Sequence, residues 1–444
     1  MNLENVLIIG SGISGVGAAK LAATKKYKTV LTTLSSMDKE QKNILINLGV
    51  SIEEGQHSNS ILNSITLVVK SPGISSEIPL LIQARSQSIP IISEIEFAYR
   101  FTNSSIIAIT GTNGKTTTSE ILYNILINSG LSVDLVGNIG KSFSESVIDD
   151  NFQYYIIETS SFQLEDIQTF RPNISIILNL NEDHLDRYHD FQEYINSKLK
   201  IYMNQSNRDH CIYFSEHHHL VKANNIEANQ YLFGGNRLDK TKCGAWIENN
   251  HIIIKTIKNQ FTMTIHNLAL QGTHNIYNSM AAALAASTIG IKNEIIRQSL
   301  SDFKGVEHRL EFVGKISGVN FINDSKATNC NSVYYALDTV QGPIIWICGG
   351  VDKGNNYTPL KSLVANKVQK IIYLGSNTKK IKDSFKNIVD DITPVKSMDL
   401  AVKLAYSHAN PGDTVLLSPA CASFNLFKNY QERGDRFKSS VLSI

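Results

Sequence analysis

The sequence predicts an α/β protein of three domains, each built around a mostly parallel sheet. At 444 residues, the chain is long enough for about three domains of ~150 residues each. Short apolar runs alternate with helical patterns along its whole length, as in parallel sheets joined by crossover helices. Two glycine-rich loops, at residues 10–15 and 111–118, each follow such a run and precede a helical pattern. We expect an N-terminal Rossmann-like domain (1–100), a central P-loop ATPase-like domain (101–304) and a C-terminal Rossmann-like domain (305–444).

Composition excludes several classes of protein. The formal net charge is only +2, and no basic stripe with interleaved aromatic residues is present, so we do not expect nucleic acid as a partner. No apolar run reaches the ~18 residues of a membrane span, and no signal-peptide pattern follows Met1. We therefore expect a cytoplasmic protein without a membrane span. The five cysteines are widely spaced and form no Cys-x-x-Cys pair, which indicates reduced thiols.

The first glycine loop suggests a diphosphate site. An apolar strand at 6–9 leads into Gly-Ser-Gly-Ile-Ser-Gly at 10–15 and a helical pattern at 16–23, which together form a dinucleotide fingerprint. The next strand, however, ends in Thr32 and Thr33, where an NAD site would place an acidic residue. NAD stays an alternative, but a nucleotide-diphosphate group on a substrate is the interpretation that we favour. A further strand at 67–69 runs into the Ser-Pro-Gly turn at 71–73.

The second glycine loop predicts a site for a nucleoside triphosphate. An apolar strand at 106–110 is followed by Gly-Thr-Asn-Gly-Lys-Thr-Thr-Thr at 111–118 and a helical pattern at 119–127. The glycines let backbone N–H groups face an anion, Lys115 can reach the β- and γ-phosphates, and Thr116 can hold Mg²⁺. The first glycine of the general P-loop pattern would fall at Ile109. A tight turn that happens to contain Gly-Lys-Thr is the alternative.

This loop resembles the nucleotide loop of the Mur ligases, the ATP-dependent enzymes that add amino acids to the peptidoglycan precursor. Further stretches resemble the same family, most closely its D-glutamate-adding branch. They lie at residues 71–74, 158–164, 181–187, 272–278, 323–329, 349–354 and 418–424. The resemblance covers all three expected domains, from residue 10 to residue 434.

The resemblance implies residues for ATP and for two Mg²⁺ ions. It implies ATP contacts at Gly111, Thr112, Asn113, Gly114, Lys115, Thr116, Thr117, Asn275, Asn278, Arg309 and Asp324. It implies metal binding at Thr116, Glu158, His184 and Lys198, where Lys198 is carbamylated by carbon dioxide. Its catalytic set is Lys115, Asn138, His184 and Lys198.

By pattern alone these residues have simpler interpretations. Glu158 could be a solvated carboxylate at the end of a strand, and Lys198 could lie on the solvated face of an amphipathic helix at 194–202. The histidine run at 217–219 is not expected to bind metal, because three adjacent side chains on a loop cannot all face one ion.

The resemblance also implies the residues of the two other substrate sites. The UDP-linked substrate is expected at Ser14, Gly15, Thr32, Thr33, Ser71, Pro72, Gly73 and Asn138. D-glutamate is expected at Thr328, Lys353, Ser423, Phe424 and Tyr430. Three departures from the family pattern are visible: threonine at 32 or 33 in place of an acidic residue, Asn425 in place of Asp, and Tyr430 in place of Phe.

The activity implied is formation of an amide between UDP-N-acetylmuramoyl-L-alanine and D-glutamate, driven by ATP through an acyl phosphate. We expect a monomer with these three small molecules as its partners. One alternative is a related ligase that uses another amino acid or adds glutamate to folate. The other is a nucleotide-binding regulator without ligase activity.

Overall fold

The computed structural model describes residues 5–184, 187–217, 226–235, 243–352, 354–375 and 379–444. Three mostly parallel sheets with helices confirm the α/β class. The chain divides into two compact units: Met1–Leu180 with Gln192–Leu268 and Tyr277–Phe303, and Asn181–Phe191 with Ala269–Ile276 and Lys304–Ile444. The first unit contains two of the sheets, so the boundary expected at residues 100–101 stays a prediction. Within the described residues, no helix is both long enough and apolar enough to cross a membrane.

The first sheet has five parallel strands in the order β3-β2-β1-β4-β5. Its strands are β1 (Asn5–Ile9), β2 (Lys28–Thr33), β3 (Ser51–Glu54), β4 (Leu67–Lys70) and β5 (Ile91–Ser93), and its helices are α1 (Ile13–Thr24), α2 (Lys39–Asn47), α3 (Pro79–Ser86) and α4 (Glu94–Tyr99). Three of these strands were predicted from their apolar runs. The other two were missed because β3 has a single apolar residue and β5 is only three residues long.

The second sheet has nine strands in the order β14-β13-β12-β11-β10-β9-β6-β8-β7. They are β6 (Ser105–Thr110), β7 (Val133–Gly137), β8 (Tyr154–Glu158), β9 (Ile174–Ile177), β10 (His210–Phe214), β11 (Asn229–Phe233), β12 (Gly244–Glu248), β13 (His251–Lys255) and β14 (Gln260–Thr264). Its helices are α5 (Lys115–Asn128), α6 (Phe143–Ser146), α7 (Ser161–Leu164), α8 (Phe191–Leu199), α9 (Thr273–Thr288) and α10 (Asn293–Asp302). Only the pairs β12–β13 and β13–β14 are antiparallel among the described pairs.

The third sheet has six strands in the order β15-β16-β20-β17-β18-β19. They are β15 (Glu311–Ile316), β16 (Val319–Asn323), β17 (Ile344–Cys348), β18 (Val368–Leu374), β19 (Ile392–Val395) and β20 (Thr414–Leu417), with helices α11 (Cys330–Thr339), α12 (Lys361–Lys367), α13 (Lys379–Phe385), α14 (Met398–His408) and α15 (Tyr430–Leu442). Successive residues of β17 alternate between two hydrophobic clusters, Trp346 in one and Ile345 in the other. Both faces of the sheet are therefore buried, which explains the continuous apolar runs in its central strands.

Short 3₁₀ segments complete the described secondary structure. They lie at Asn59–Ser64, Lys200–Tyr202, Ile265–Asn267 and Thr358–Leu360. The segment Lys200–Tyr202 directly follows α8, and the two together cover the helix predicted at 194–202.

Buried charged groups join the first sheet to the second. The Glu96 carboxylate is inaccessible to solvent and accepts hydrogen bonds from the backbone N–H groups of residues 168–170 at 2.7–3.1 Å. Lys70 is equally buried, and its Nζ lies 2.6 Å from Asp166 and 3.2 Å from Glu165. Charge-assisted bonds of this kind are directional. They fix the orientation of the first sheet on the second.

Glu94, at the start of α4, is also buried in this interface and accepts a bond from the Ser144 N–H at 2.5 Å. Burial raises its pKa to about 7, against opposing hydrogen bonds from Ser144. Because the ordinary value is 4.5, the native carboxyl binds its proton more tightly than the unfolded one. The free energy of unfolding therefore falls as the pH rises from 4.5 to 7, by about 3 kcal/mol in total.

We predict that Glu94→Gln removes this dependence on pH. The variant should gain free energy of unfolding over the native protein at pH 8, by up to about 3 kcal/mol, and gain much less at pH 5. Urea unfolding at the two pH values measures the difference, and Glu77→Gln, at an exposed position, is the control. Equal gains at both pH values would contradict the assignment.

Candidate active site

Four neighbouring parallel strands of the second sheet end at one edge, and most of the candidate residues of the first unit lie there. The strands stand in the order β9-β6-β8-β7. Ligands bind in open α/β sheets at the carboxyl ends of the strands. The pairing of Ile109 with Glu158 places the end of β8 beside the loop that follows β6.

The loop at 111–114 has a backbone geometry that requires its glycines. Gly111 has φ +149° and Gly114 has φ +86°, in a region that other residues rarely adopt. Asn179, just after β9, holds this loop through three bonds: its carbonyl accepts from the Thr112 N–H at 2.8 Å, its Oδ1 from the Asn113 N–H at 2.8 Å, and its Nδ2 donates to the Asn113 carbonyl at 2.9 Å. The loop is thus fixed before any ligand arrives.

Lys115 and Asn278 flank this loop. The Lys115 Nζ donates to the carbonyls of Gly111 and Thr112 at 2.8 and 2.9 Å, which keeps its charge over the loop. From α9, the Asn278 Oδ1 accepts a bond from the Thr118 hydroxyl at 3.3 Å. A Cβ atom at Gly114 would lie 2.3 Å from that same Oδ1, so α9 and the loop are in direct contact.

Thr116, Glu158 and Asn138 form a hydrogen-bonded group beside the loop. The Thr116 hydroxyl donates to Glu158 Oε2 at 2.7 Å, and the Asn138 amide donates to Oε1 at 2.9 Å. Glu158 is 1% exposed, so it is not the solvated strand-end carboxylate of the simpler interpretation. Hydroxyl and carboxylate oxygens are ligands that Mg²⁺ accepts, and Mg²⁺ usually has only one or two protein carboxylates beside substrate phosphates.

Lys198 is buried, not solvated. It is 2% exposed, and its Nζ donates to the Gly111 carbonyl at 3.0 Å and lies 4.7 Å from the centre of the Tyr194 ring. The Tyr194 hydroxyl in turn lies 3.1 Å from the Thr112 hydroxyl. Helix α8 therefore brings the Lys198 amine to the phosphate loop.

The glycine loop at 10–15 lies at the corresponding edge of the first sheet. Gly10 has φ +102°, and a Cβ at Gly15 would lie 1.9 Å from the Gly10 carbonyl oxygen. Ser71 lies against both glycines; its Oγ is buried and has no hydrogen-bond partner among the described residues. A buried hydroxyl without a partner suggests that a ligand satisfies it. Ser14 belongs to the first turn of α1, and Pro72 and Gly73 lie on the turn that follows β4.

Thr32 and Thr33 end β2 beside this loop, and both are buried. The Thr33 hydroxyl lies 3.0 Å from that of Ser11. The Thr32 hydroxyl donates to Glu53 Oε2 at 2.9 Å and lies 2.9 Å from His57 Nδ1. Burial by itself would raise the pKa of Glu53, but bonds from Ser58 and Thr32 lower it below its ordinary value. A carboxylate therefore stands next to the threonines, on the neighbouring strand.

The second unit contains His184, Asn275, Arg309 and Asp324, each described here within that unit. His184 has φ +55°, an uncommon conformation that often marks functional sites. Asp324 accepts bonds from the Ser418 hydroxyl at 2.8 Å and the Leu310 N–H at 3.3 Å. Burial raises the pKa of Asp324 to about 7, although Arg309 opposes the shift. Asn275 belongs to the first turn of α9.

Four of the residues expected to bind D-glutamate, Thr328, Ser423, Phe424 and Tyr430, lie in segments that follow strands of the third sheet. Ser423 is buried, whereas Thr328 is exposed and Phe424 is 69% exposed. Tyr430 begins α15, and its ring centre lies 5.1 Å from Lys326 Nζ. Lys353 lies outside the described residues, as do two of the histidines in the run at 217–219.

Two organising residues were not identified from the sequence. Asn179 carries no signal because the apolar stretch at 174–180 predicts one continuous strand, whereas β9 ends at Ile177. Arg433 is 1% exposed and donates to the Cys421 carbonyl at 3.0 Å and to the Ser325 carbonyl at 2.8 Å, which joins two strand-end loops of the third sheet. A lone arginine inside a polar helix carries no sequence signal for this role.

Three family models match the chain. They are "Mur ligase MurD-like, N-terminal domain" at residues 4–93, "Mur ligase middle domain" at 109–286 and "Mur ligase, glutamate ligase domain" at 308–421. Curated relatives named UDP-N-acetylmuramoylalanine–D-glutamate ligase are similar over the whole length. The protein from Bacteroides fragilis is 44% identical, with 100% of both chains covered. The one from Porphyromonas gingivalis is 43% identical, with 99% of both covered.

Solved structures show the same fold at low identity. UDP-N-acetylmuramate-alanine ligase MurC from Thermotoga maritima aligns with a TM-score of 0.62 at 19% identity, covering 99% of each chain. A pseudomurein peptide ligase type C from Methanothermus fervidus gives 0.62 at 20% identity, covering 99% of this chain and 100% of that one. A MurF ligase from Thermotoga maritima, solved in complex with ADP, gives 0.62 at 15% identity, covering 99% of each chain.

We predict that Gly114→Ala weakens nucleotide binding by about tenfold or more, because the added Cβ would collide with Asn278 as well as strain the backbone. Titration with a fluorescent ATP analogue measures the effect. Gly130→Ala is the matched control: its φ of +84° carries the same strain, but nothing lies within 4 Å of the added Cβ. Equal loss in both variants would show that the close contact with α9 does not matter.

Proposed function

Because the chain belongs to the Mur ligase family, among the UDP-N-acetylmuramoylalanine–D-glutamate ligases, and adds D-glutamate to its UDP-linked acceptor with ATP in peptidoglycan synthesis, we propose roles in that reaction for the residues described above. The observation that carries the proposal is the contact of Thr116, Glu158 and Asn138 beside a preformed phosphate loop. In this proposal, the sheet edge that holds them is where ATP and the acceptor carboxylate react.

The phosphate loop binds the triphosphate of ATP in this proposal. Backbone N–H groups of residues 114–117, at the N-terminus of α5, face the phosphate oxygens, and residues 111–113 form the turn that Asn179 holds. The charge of Lys115 offsets the charge of the β- and γ-phosphates. Asn278 contacts the loop from α9. Asn275, Arg309 and Asp324 complete the proposed ATP set, on the strength of the family motifs that contain them.

Transfer of the γ-phosphate to the acceptor carboxylate gives an acyl phosphate. The amine of D-glutamate attacks its carbonyl carbon, the amide bond forms and phosphate leaves. No covalent enzyme intermediate is needed, so this chain contributes mainly positioning and charge. Asn138, bonded to Glu158 at 2.9 Å, is proposed to orient the reacting groups.

Two Mg²⁺ ions are proposed beside the phosphates. Thr116 and Glu158 fit one of them, because hydroxyl and carboxylate oxygens lie 2.7 Å apart next to the loop. A carbamylated Lys198 is proposed to support the second ion, and His184 is proposed as a metal ligand on the strength of the family motif that contains it. Bound Mg²⁺ would neutralise negative charge on the phosphate oxygens.

Carbamylation of Lys198 joins its neutral amine to the carbon of carbon dioxide and releases a proton. Burial supports it, because it disfavours the ammonium form of a lysine. The product is an anion, which suits a metal-supporting group.

The UDP-linked substrate is proposed at the edge of the first sheet. Its diphosphate meets the loop that contains Ser14 and Gly15 and supplies the missing partner of the buried Ser71 hydroxyl. Thr32 and Thr33, with Pro72 and Gly73, line the remainder of this site.

We also propose that the protein acts as a monomer in the cytoplasm, where ATP is available. Size-exclusion chromatography with light scattering tests whether it is a monomer.

We predict that Lys198→Ala loses most activity and that Lys198→Arg does not restore it, since arginine keeps the positive charge but cannot be carbamylated. Independently of activity, the native protein given ¹³C-bicarbonate should show a carbamate signal in its ¹³C spectrum that Lys198→Arg lacks. The neighbouring Lys200→Arg is the control and should keep the signal. A fully active Lys198→Arg variant would contradict the proposal.

We predict that Ser423→Ala or Lys353→Ala raises the KM for D-glutamate about 10- to 100-fold, because each removes a donor to its side-chain carboxylate. The KM for ATP should change little. Steady-state kinetics with each substrate varied separately measures both values, and Ser439→Ala and Lys361→Ala, at exposed positions, are the matched controls. Equal changes in the two KM values would count against an amino-acid site here.

A further inference from the structure

A cavity of about 520 Å³ lies at the end of the second sheet where β10 begins, away from the strand ends that carry the phosphate loop. Its walls are the start of β10, the turn between β13 and β14, and the connection from α9 to α10. Its volume is within the range of small-molecule sites. None of the residues assigned above to ATP, Mg²⁺, the UDP-linked substrate or D-glutamate lines it.

Two residues of its lining each contain a buried polar atom that has no hydrogen-bond partner among the described residues. The atoms are Oγ of Ser287, a residue only 4% exposed, and Nδ1 of His210. Buried polar atoms are nearly always paired, so such atoms call for a ligand or water. Burial lowers the pKa of His210, although Asp209 opposes the shift. The shift favours the neutral imidazole, which has one nitrogen that donates and one that accepts a hydrogen bond.

The rim of the cavity attracts negative charge. Lys258 and Lys292 are exposed there, against a single acid, Glu294. Helix α10 also begins at this rim without a side-chain cap, so its first N–H groups remain available to an anion. The side chain of Asn293 is engaged instead with Asn259, each amide bonding the other.

The cavity also has an apolar part. Ile257 is 76% exposed, although it lines a concave surface with Ile289 and Ile291. An apolar group bound there would remove this side chain from water, which is favourable. The lining therefore combines cations, unsatisfied polar atoms and an apolar wall.

We propose that this cavity binds a small organic anion, with its carboxylate at Lys258 and Lys292, its apolar body against Ile257, and a polar group reaching Ser287 and His210. Such a ligand would act apart from the ligase reaction. Helix α9 leads from the cavity to the phosphate loop, because its Asn278 touches Gly114. Helix α10 contacts the other end of α5, where its Ser299 hydroxyl accepts a bond from Asn128 at 2.9 Å. The position suits a regulator of nucleotide binding.

The test uses 4-fluorobenzoate as probe and ¹⁹F NMR titration of the full-length protein without ATP. The native protein should give saturable binding. Lys258→Glu with Lys292→Glu, both at exposed positions, should weaken it about tenfold or more. Ser287→Leu places a larger side chain in the cavity lining and should abolish binding. Lys39→Glu, a charge reversal at an exposed position on α2, should leave binding unchanged.

Absence of saturable binding to the native protein would overturn the proposal. Undiminished binding to the double lysine variant would also overturn it, since both substitutions are at exposed positions and do not threaten the fold. So would binding of neutral fluorobenzene that is as tight as the binding of 4-fluorobenzoate. The titration uses no ligase substrate. A negative result would therefore not affect the roles proposed for the ligase reaction, and the failure of those roles would not affect the proposal for this cavity.

Discussion

The parallel pairing of β9, β6, β8 and β7 is the constraint on which the active site depends. Strands paired in parallel end at one edge, so four segments distant in sequence deliver their next residues to one place. The register of Ile109 with Glu158 brings the carboxylate within 2.7 Å of the Thr116 hydroxyl. A slip of one residue would turn Glu158 to the other face of the sheet. The apolar strands that bury the core therefore also fix the reacting groups.

Polar groups inside the fold then set the finer geometry. Asn179 bonds both sides of the phosphate loop, and Lys198 donates to its first glycine at 3.0 Å. In the interface with the first sheet, Glu96 accepts several backbone N–H bonds. In the third sheet, Arg433 joins two strand-end loops in the same manner. Glu96, Lys198 and Arg433 are buried, Asn179 is partly buried, and the hydrogen bonds of each hold backbone groups of a loop.

The sequence predicted what depends on local pattern. Apolar runs indicated β1, β4 and β6, and the glycine loops indicated the phosphate sites, because backbone conformation there demands glycine. It could not reveal contacts made by folding. Glu53 reaches Thr32 only because β3 pairs with β2, and β3 is too polar to read as a buried strand. The burial of Lys198 was likewise hidden, since its helix looks amphipathic. The stretch at 227–261 is rich in Asn and Lys and has no chemical motif, yet it contains β11, β12 and β13, which lie toward one side of the second sheet.

Replacement of Lys115 by alanine tests most directly whether this sheet edge holds the triphosphate of ATP. The measurement is the rate of phosphate release that depends on both the acceptor and D-glutamate, with unfolding of each protein followed in parallel. Loss of one preorganised charge should lower the rate by ~10²-fold or more while the thermal midpoint hardly changes. Turnover close to that of the native protein, from a variant that folds normally, would contradict the account.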